Sequence, residues 1–320
     1  MKRKWGVLSI IGAALCLGLS GQASAATFAT GDIFASVGSG QVQHYSSAGV
    51  LLETLNTGQG GFTTGSAFDG AGNLYVTNFG ANSVTKFTGP SDPHTTSLFG
   101  SGYSTPESIL FDASGNVYVG NLGNGIRKFD ASGVFLGSVL GTTRVDWIDL
   151  AADQKTMLYT DEGNSIHSVN VVTGIANPNF SSALANGFAL RILGDGTVLV
   201  ADEVNVKLLN SSGAVIRTYG ATGENSWFSL NLDPDGTSFI SGNFNTGNFY
   251  RFNIATGGVD TFTQVVHTGV GPSALFGLSV FGEITQGGPP PTSGVPEPAT
   301  VVLLGSGLAG LAMWRMRKSA

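Results

Sequence analysis

The residues best equipped for chemistry in this chain are two pairs of adjacent acids, Asp161-Glu162 and Asp202-Glu203, set 41 positions apart. Side-chain carboxylates gathered at one corner offer the hard oxygen ligands that suit calcium, so Asp161, Glu162, Asp202 and Glu203 form the candidate cation site and calcium is the candidate cofactor. A second set is aromatic. Trp147, Phe188, Trp227 and Phe276 are placed to line an opening and to stack on sugar rings, whose CH faces favour an aromatic plane, or else to wedge between packed sheets. No His-Glu-x-x-His, Gly-x-Ser-x-Gly or glycine-rich phosphate loop accompanies them. No catalytic residue is assigned. His44 and His167 read as partly exposed strand residues, and His94 and His267 as solvated ones.

Whether these groups meet depends on what positions them, and that is a repeat. Five segments share an apolar strand, a turn rich in Asp and Gly, and a second apolar strand centred on Tyr75, Tyr118, Tyr159, Leu199 or Phe239. A sixth copy begins abruptly around Phe34, and the six centres are separated by 41, 43, 41, 40 and 40 residues. Each complete copy continues through a polar residue, a Gly/Asn loop and a third strand, as in Val84–Phe87 or Phe249–Phe252, to a fourth such as Val215–Tyr219. Four short strands in roughly 40 residues make one propeller blade. The first copy lacks its inner strand, and Leu278–Phe281 has the spacing to supply it, which predicts an all-β, six-bladed β-propeller closed by pairing of its two ends.

The aromatic candidates each precede the first strand of a blade. The acids Asp69, Asp112, Asp153 and Asp233 enter the inner hairpin turns, where an Asp hydrogen-bonds the NH groups of its own turn. The polar residues Asn78, Asn121, Asp161, Asp202 and Asn243 follow the second strands, as turn caps or as a ring of oxygens near the channel.

Composition agrees with many short strands and tight turns: 48 of 320 residues are glycine and 11% are charged. Between Ala26 and Val295 only 9 Lys or Arg stand against 20 Asp or Glu, a balance that excludes a nucleic-acid partner. Lys2-Arg3-Lys4, the apolar run Val7–Leu19 and Ala23-Ser24-Ala25 form the three parts of a secretory signal over residues 1–25, with Ala23 and Ala25 at the cleavage site. Cys16 is the one cysteine and lies inside that run, so the exported body has neither disulfide nor thiolate chemistry. After a propeller spanning 26–284, residues 285–294 form a Gly/Pro/Thr/Ser linker, followed by a short apolar segment, Ala299–Trp314, and a basic end.

Two resemblances follow from these residues. The stretch Thr105–Val119, continued by Asn124–Gly133, closely resembles the NHL-type repeat, whose members form six-bladed propellers related in shape to the gluconolactonase-like ones. That resemblance implies a divalent cation near the channel, although Asn78, Asn121 and Asn243 stand where NHL repeats usually carry Asp. Residues 295–320 resemble the PEP-CTERM sorting signal: the motif Val295, Pro296, Glu297, Pro298, a transmembrane helix, and the basic end Arg315, Arg317 and Lys318. This second resemblance implies an exosortase partner at the inner membrane and release to the outside or the cell surface. The expectation is therefore a secreted, non-catalytic binding or scaffold propeller of the extracellular polysaccharide matrix or cell surface, its partner a polysaccharide or another surface protein. The alternative is a cation-dependent, lactonase-like hydrolase with the metal in the channel.

Overall fold

A computed structural model describes residues 26–265 and 275–288. The expected signal segment, His267, the apolar C-terminal segment and the sorting motif lie outside the described residues. Among the described residues no helix is long and apolar enough to cross a membrane.

The chain opens with β1 (Ile33–Ser36), β2 (Gln41–Tyr45) and β3 (Leu51–Asn56). Blade 2 is β4 (Thr63–Phe68), β5 (Leu74–Asn78), β6 (Ser83–Phe87) and β7 (Thr96–Leu98). Blade 3 is β8 (Pro106–Phe111), β9 (Val117–Asn121), β10 (Gly125–Phe129) and β11 (Phe135–Leu140). Blade 4 is β12 (Ile148–Leu150), β13 (Thr156–Tyr159), β14 (Ile166–Asn170) and β15 (Ala176–Ser181). Blade 5 is β16 (Gly187–Ile192), β17 (Val198–Asp202), β18 (Asn205–Leu209) and β19 (Val215–Tyr219). Blade 6 is β20 (Trp227–Leu232), β21 (Ser238–Asn243), β22 (Asn248–Asn253) and β23 (Val259–Gln264), and β24 (Gly277–Val280) follows it. Each sheet is antiparallel and four-stranded, and blade 1 has the order β24-β1-β2-β3. The closing strand pairs with β1 in the register Ile33↔Val280, Phe34↔Ser279, Ala35↔Leu278 and Ser36↔Gly277, so the two ends of the chain complete one blade.

Burial explains the strand patterns. Inner and second strands such as β8, β9 and β20 are buried throughout because neighbouring blades cover both faces, so that even their polar residues Glu107, Ser108, Ser229 and Asn231 are buried. Outer strands such as β11 and β23 are largely exposed. The blade centres are all buried, and the inner strands crowd closely: a Cβ on Gly65 of β4 would lie 2.5 Å from the Glu107 carbonyl oxygen of β8. Glycine there lets adjacent blades approach around a narrow channel.

The turn acids divide. Asp69, Asp112 and Asp153 accept bonds from backbone NH groups of their own turns, at 2.8–3.0 Å. Asp233 does not; Asp235 takes the turn NH groups of Thr237 and Ser238, and Asp233 instead receives Arg251 Nε at 2.8 Å and the Ser238 hydroxyl at 2.7 Å. The third-strand partner is shared by other blades, since Lys86 approaches Asp69 at 3.7 Å and Lys128 approaches Asp112 at 3.5 Å.

Two histidines depart from the expectation of exposure. His44 is fully buried, its ring nitrogens each 2.9 Å from a carboxylate, of Asp32 and of Glu53, and its ring stacked 4.3 Å from Phe34. His94 stacks at 4.3 Å on Phe28 and bonds the Ala26 carbonyl at 3.0 Å. The cause lies before β1, where the segment from Ala26 to Asp32 folds over blades 1 and 2 and covers both rings. Sequence periodicity does not register such a cover.

Candidate functional site

All inner strands run in the same sense around the ring, so their first residues surround one mouth of the channel and their last residues the other. The two mouths differ. At the second, the chain beyond β24 crosses the opening. Glu283 receives Arg191 Nε at 2.6 Å and the Leu232 NH at 3.0 Å, while Gln154 donates to the Gly287 carbonyl at 3.1 Å. Gly287 lies so close to blade 4 that a Cβ would come within 2.6 Å of Leu150. Thr285–Gly288, the start of the expected linker, thus lie against the propeller. Burial pushes the Asp149 carboxyl up to about 6 even though Arg191 and the NH groups of Ile192 and Leu150 favour its charged form.

The first mouth is open, and it holds a cavity of about 400 Å³ lined mainly by aromatic and acidic side chains. Phe62 precedes β4, Phe188 and Phe228 sit near the starts of β16 and β20, Phe244 follows β21, and Phe276 precedes β24. Their rings touch in series: Phe62–Phe276 at 4.4 Å, Phe276–Phe244 at 5.3 Å, Phe244–Phe228 at 5.3 Å and Phe228–Phe188 at 4.9 Å. The arc spans blades 2, 1, 6 and 5. Blades 3 and 4 fill the remaining gap with Glu107, Leu122 and Glu162, and Glu203 of blade 5 lies beside it.

Of the four aromatic candidates, Phe188 and Phe276 belong to this arc. Trp227 lines the cavity floor but is fully buried, edge-on to Tyr250 and Phe252 at 5.6 and 5.5 Å. Trp147 is buried between blades with the Arg191 guanidinium 5.7 Å from its ring. Phe62, Phe79, Phe228 and Phe244 were missed by sequence reasoning. A signal for part of the set was present: Phe79, Leu122, Glu162, Glu203 and Phe244 each stand one residue after a polar cap, at the same blade position, and all five line the mouth.

The caps themselves turn inward. Asn78, Asn121, Asp202 and Asn243 are buried, and Asn121, Asp161, Asp202 and Asn243 each accept backbone NH groups of nearby loops. Among the four cation candidates, Asp161 pairs with His167 at 3.2 Å, Glu162 with Arg144, Asp202 with Lys207, and Glu203 with the Asn186 amide at 2.6 Å. Each is thus engaged by a separate partner. No group of three or more acidic, histidine or cysteine side chains is placed to hold a metal among the described residues.

Two other acids carry the electrostatic strain of the mouth. Glu107, 4% exposed, has Oε2 buried without a hydrogen bond, and Asp146, fully buried, has neither carboxylate oxygen bonded. Burial pushes the Glu107 carboxyl well above the usual range, and Asp146 and Glu162 push it further against the opposing effect of Arg144. Asp146 is raised for the same first reason, with Glu162 and Asp161 adding to it. The backbone is strained here as well, since Glu162 and Glu203 have φ values of 62° and 24°. Left-handed backbone at a non-glycine residue concentrates at binding and active sites.

Among solved structures, the chain is similar to one from a nidogen/laminin complex, at TM-score 0.65 and 14% identity over 78% of this chain and 97% of that one. It is also similar to the WD40 β-propeller domain of Doa1, at TM-score 0.50 and 15% identity over 67% of this chain and 70% of that one. A third likeness is to the hydrazine synthase of Kuenenia stuttgartiensis, at TM-score 0.50 and 16% identity over 61% and 64% of the two chains. At such identities the likeness concerns fold alone. No curated protein matches the chain. Residues 294–318 match the PEP-CTERM protein-sorting motif, the mark of export and exosortase processing. The chain is a six-bladed β-propeller that carries a PEP-CTERM sorting motif at its C-terminal end.

Proposed function

We propose that this protein is a secreted, non-catalytic binding component of the extracellular polysaccharide matrix or cell surface, and that it takes sugar rings in its aromatic mouth. The observation that carries the reading is the unbroken series of five phenylalanine rings around a cavity of about 400 Å³. Phenylalanine offers a flat apolar face and no hydrogen bond, which fits the CH face of a sugar better than it fits an anion or a metal ion. Phe62 is 48% exposed, an unusual cost for an aromatic ring unless something covers it. The direction of the chain supports the same use. Thr285–Gly288, the last described residues, lie against the opposite mouth, so the chain runs on toward its sorting motif from the side away from the aromatic rings.

The four acids that the hydrolase alternative would need are each engaged by a separate partner, which favours the binding reading. The test is calorimetric titration of neutral β-linked oligosaccharides into the protein and into Phe62→Ala and Phe188→Ala. Binding that weakens roughly 2- to 13-fold or more in each variant supports the reading, since a stacking contact is worth about 0.5–1.5 kcal/mol beyond the area it buries. Affinity unchanged in both variants would remove the mouth as the site.

A further inference from the structure

The aromatic arc leaves blades 3 and 4 as a gap in the ring, and the gap is acidic. Glu107, Asp146, Asp161 and Glu162 converge there electrostatically, with Arg144 as the cationic partner of Glu162 and the His167 ring 3.2 Å from Asp161. Glu107 Oε2 and both Asp146 oxygens have no hydrogen-bond partner, and Arg144 is the cation that acts on both acids while being paired with Glu162. Of the two, Glu107 lines the cavity. A carboxylate oxygen buried in the wall of a cavity and lacking any donor is a costly arrangement that a bound donor would relieve.

The identity of that donor can be narrowed. Calcium takes about 6–8 oxygens, and no group of three suitable side chains is assembled among the described residues. A neutral hydroxyl would satisfy the hydrogen bond and leave the charge of an ionised Glu107 uncompensated. An ammonium group satisfies both, because it brings a positive charge and three N–H donors into a site where Asp146 and Glu162 already deepen the negative potential. It is also drawn to the faces of the rings that surround the rest of the mouth.

We infer that the mouth selects sugars bearing a protonated amine, with Glu107 receiving the ammonium group and the phenylalanine arc carrying the ring. This rests on the sugar-binding reading above and adds a substrate class to it. Glu107 must be ionised to act, and its neighbours Asp146, Glu162 and Arg144 set how readily it becomes so. Burial favours its protonated form in the empty site, so binding of the ammonium releases a proton from the protein. Affinity therefore rises with pH through the Glu107 titration and falls again once the sugar amine loses its own proton.

The experiment titrates the full chain, held in detergent, with a β-linked glucosamine oligomer, its N-acetylated counterpart and the glucose oligomer of the same length. The expected result is roughly 30-fold tighter binding of the amine form, with a heat that changes with the ionisation enthalpy of the buffer. In Glu107→Gln that preference disappears, and the glucose oligomer binds as before. Equal affinity for all three sugars in the unmodified protein overturns the amine inference and leaves the sugar reading standing; failure to bind any of them overturns both. A preference that survives in a folded Glu107→Gln refutes the role given to Glu107. Should that variant not fold, the buffer-dependent heat of the unmodified protein decides, and a heat independent of buffer counts against the inference. Displacement of the amine sugar by millimolar calcium would show a metal site instead.

Discussion

Removal of the closing strand is the perturbation whose cost can be worked most fully. Leu278 and Val280 of β24 are completely buried and pack in the cluster of Ile33, Ala35, Val37 and Leu275. Burying two such side chains contributes about 3–6 kcal/mol. The strand also forms four residue pairs with β1, and the Asn231 amide bonds the Leu278 carbonyl at 3.0 Å. Against a total stability of about 5–15 kcal/mol, the loss is a large fraction of the whole. A chain ending after Phe276 should therefore unfold at a urea midpoint about 1.5–3 M below that of a chain ending after Gly288, for a denaturant slope of about 2 kcal/mol/M. It should also self-associate in gel filtration, because β1 becomes an open edge. Leu278→Ala, which keeps both the strand and the tail, isolates the core contribution and should cost about 2–5 kcal/mol. Equal midpoints for the two chain lengths, with the shorter one monomeric, would refute the reasoning that the ring is held shut by its ends.

The channel floor and the acidic gap yield three further expectations. Asp149 has a folded pKa of about 6 against an ordinary 3.8, so it holds its proton more tightly when folded. Its contribution is fully present below the ordinary value and is lost as pH rises through about 6, a swing of about 3 kcal/mol. Urea unfolding of Asp149→Asn across pH 3.5–7.5, a range chosen to bracket both values, should accordingly show the variant gaining on the unmodified protein by about that amount; parallel curves would contradict it. Arg191→Met leaves Glu283 and Asp149 buried without their cation, and should cost about 3–5 kcal/mol at neutral pH in the same assay. Asp146→Asn removes an acid whose oxygens have no partner, so its thermal midpoint should exceed that of the unmodified protein by more at pH 8 than at pH 4; a uniform loss would point to an unrecognised bond.

The blades were legible because a propeller repeats its physics. Every copy needs buried centres and a tight inner turn, so Tyr75, Tyr118, Tyr159, Leu199 and Phe239 recur at nearly constant spacing. Ring closure was legible for the same reason, since an unpaired inner strand at one end of a repeat implies its partner at the other. The mouth was only half legible. Phe188 stands at the start of an inner strand and Phe276 just before one, positions visible in the repeat, whereas Phe79 and Phe244 follow the polar caps Asn78 and Asn243, whose own chemistry is the stronger signal. The loop geometry decides which of two neighbours turns inward to cap and which faces the cavity, and side-chain chemistry alone does not reveal that choice.

Glu107 was hidden by a different cause. It lies within Pro106-Glu107-Ser108 at the start of an inner strand, where a lone acid carries no pattern, and its lack of a partner arises only when blades 3 and 4 come together. The acids that did form a pattern, Asp161-Glu162 and Asp202-Glu203, each found partners within blades 4 and 5. Regular spacing thus marked the caps and the mouth-lining residues that follow them, whereas the residue proposed to select a ligand stands outside the repeat.

The most direct test of the account is a crystal structure of the protein grown with a saturating β-linked oligosaccharide that binds it in solution. The expected result is sugar rings lying on the arc from Phe62 through Phe276, Phe244 and Phe228 to Phe188. Sugar bound along the outer strands instead, with the mouth between Glu107 and Phe244 empty, would contradict it.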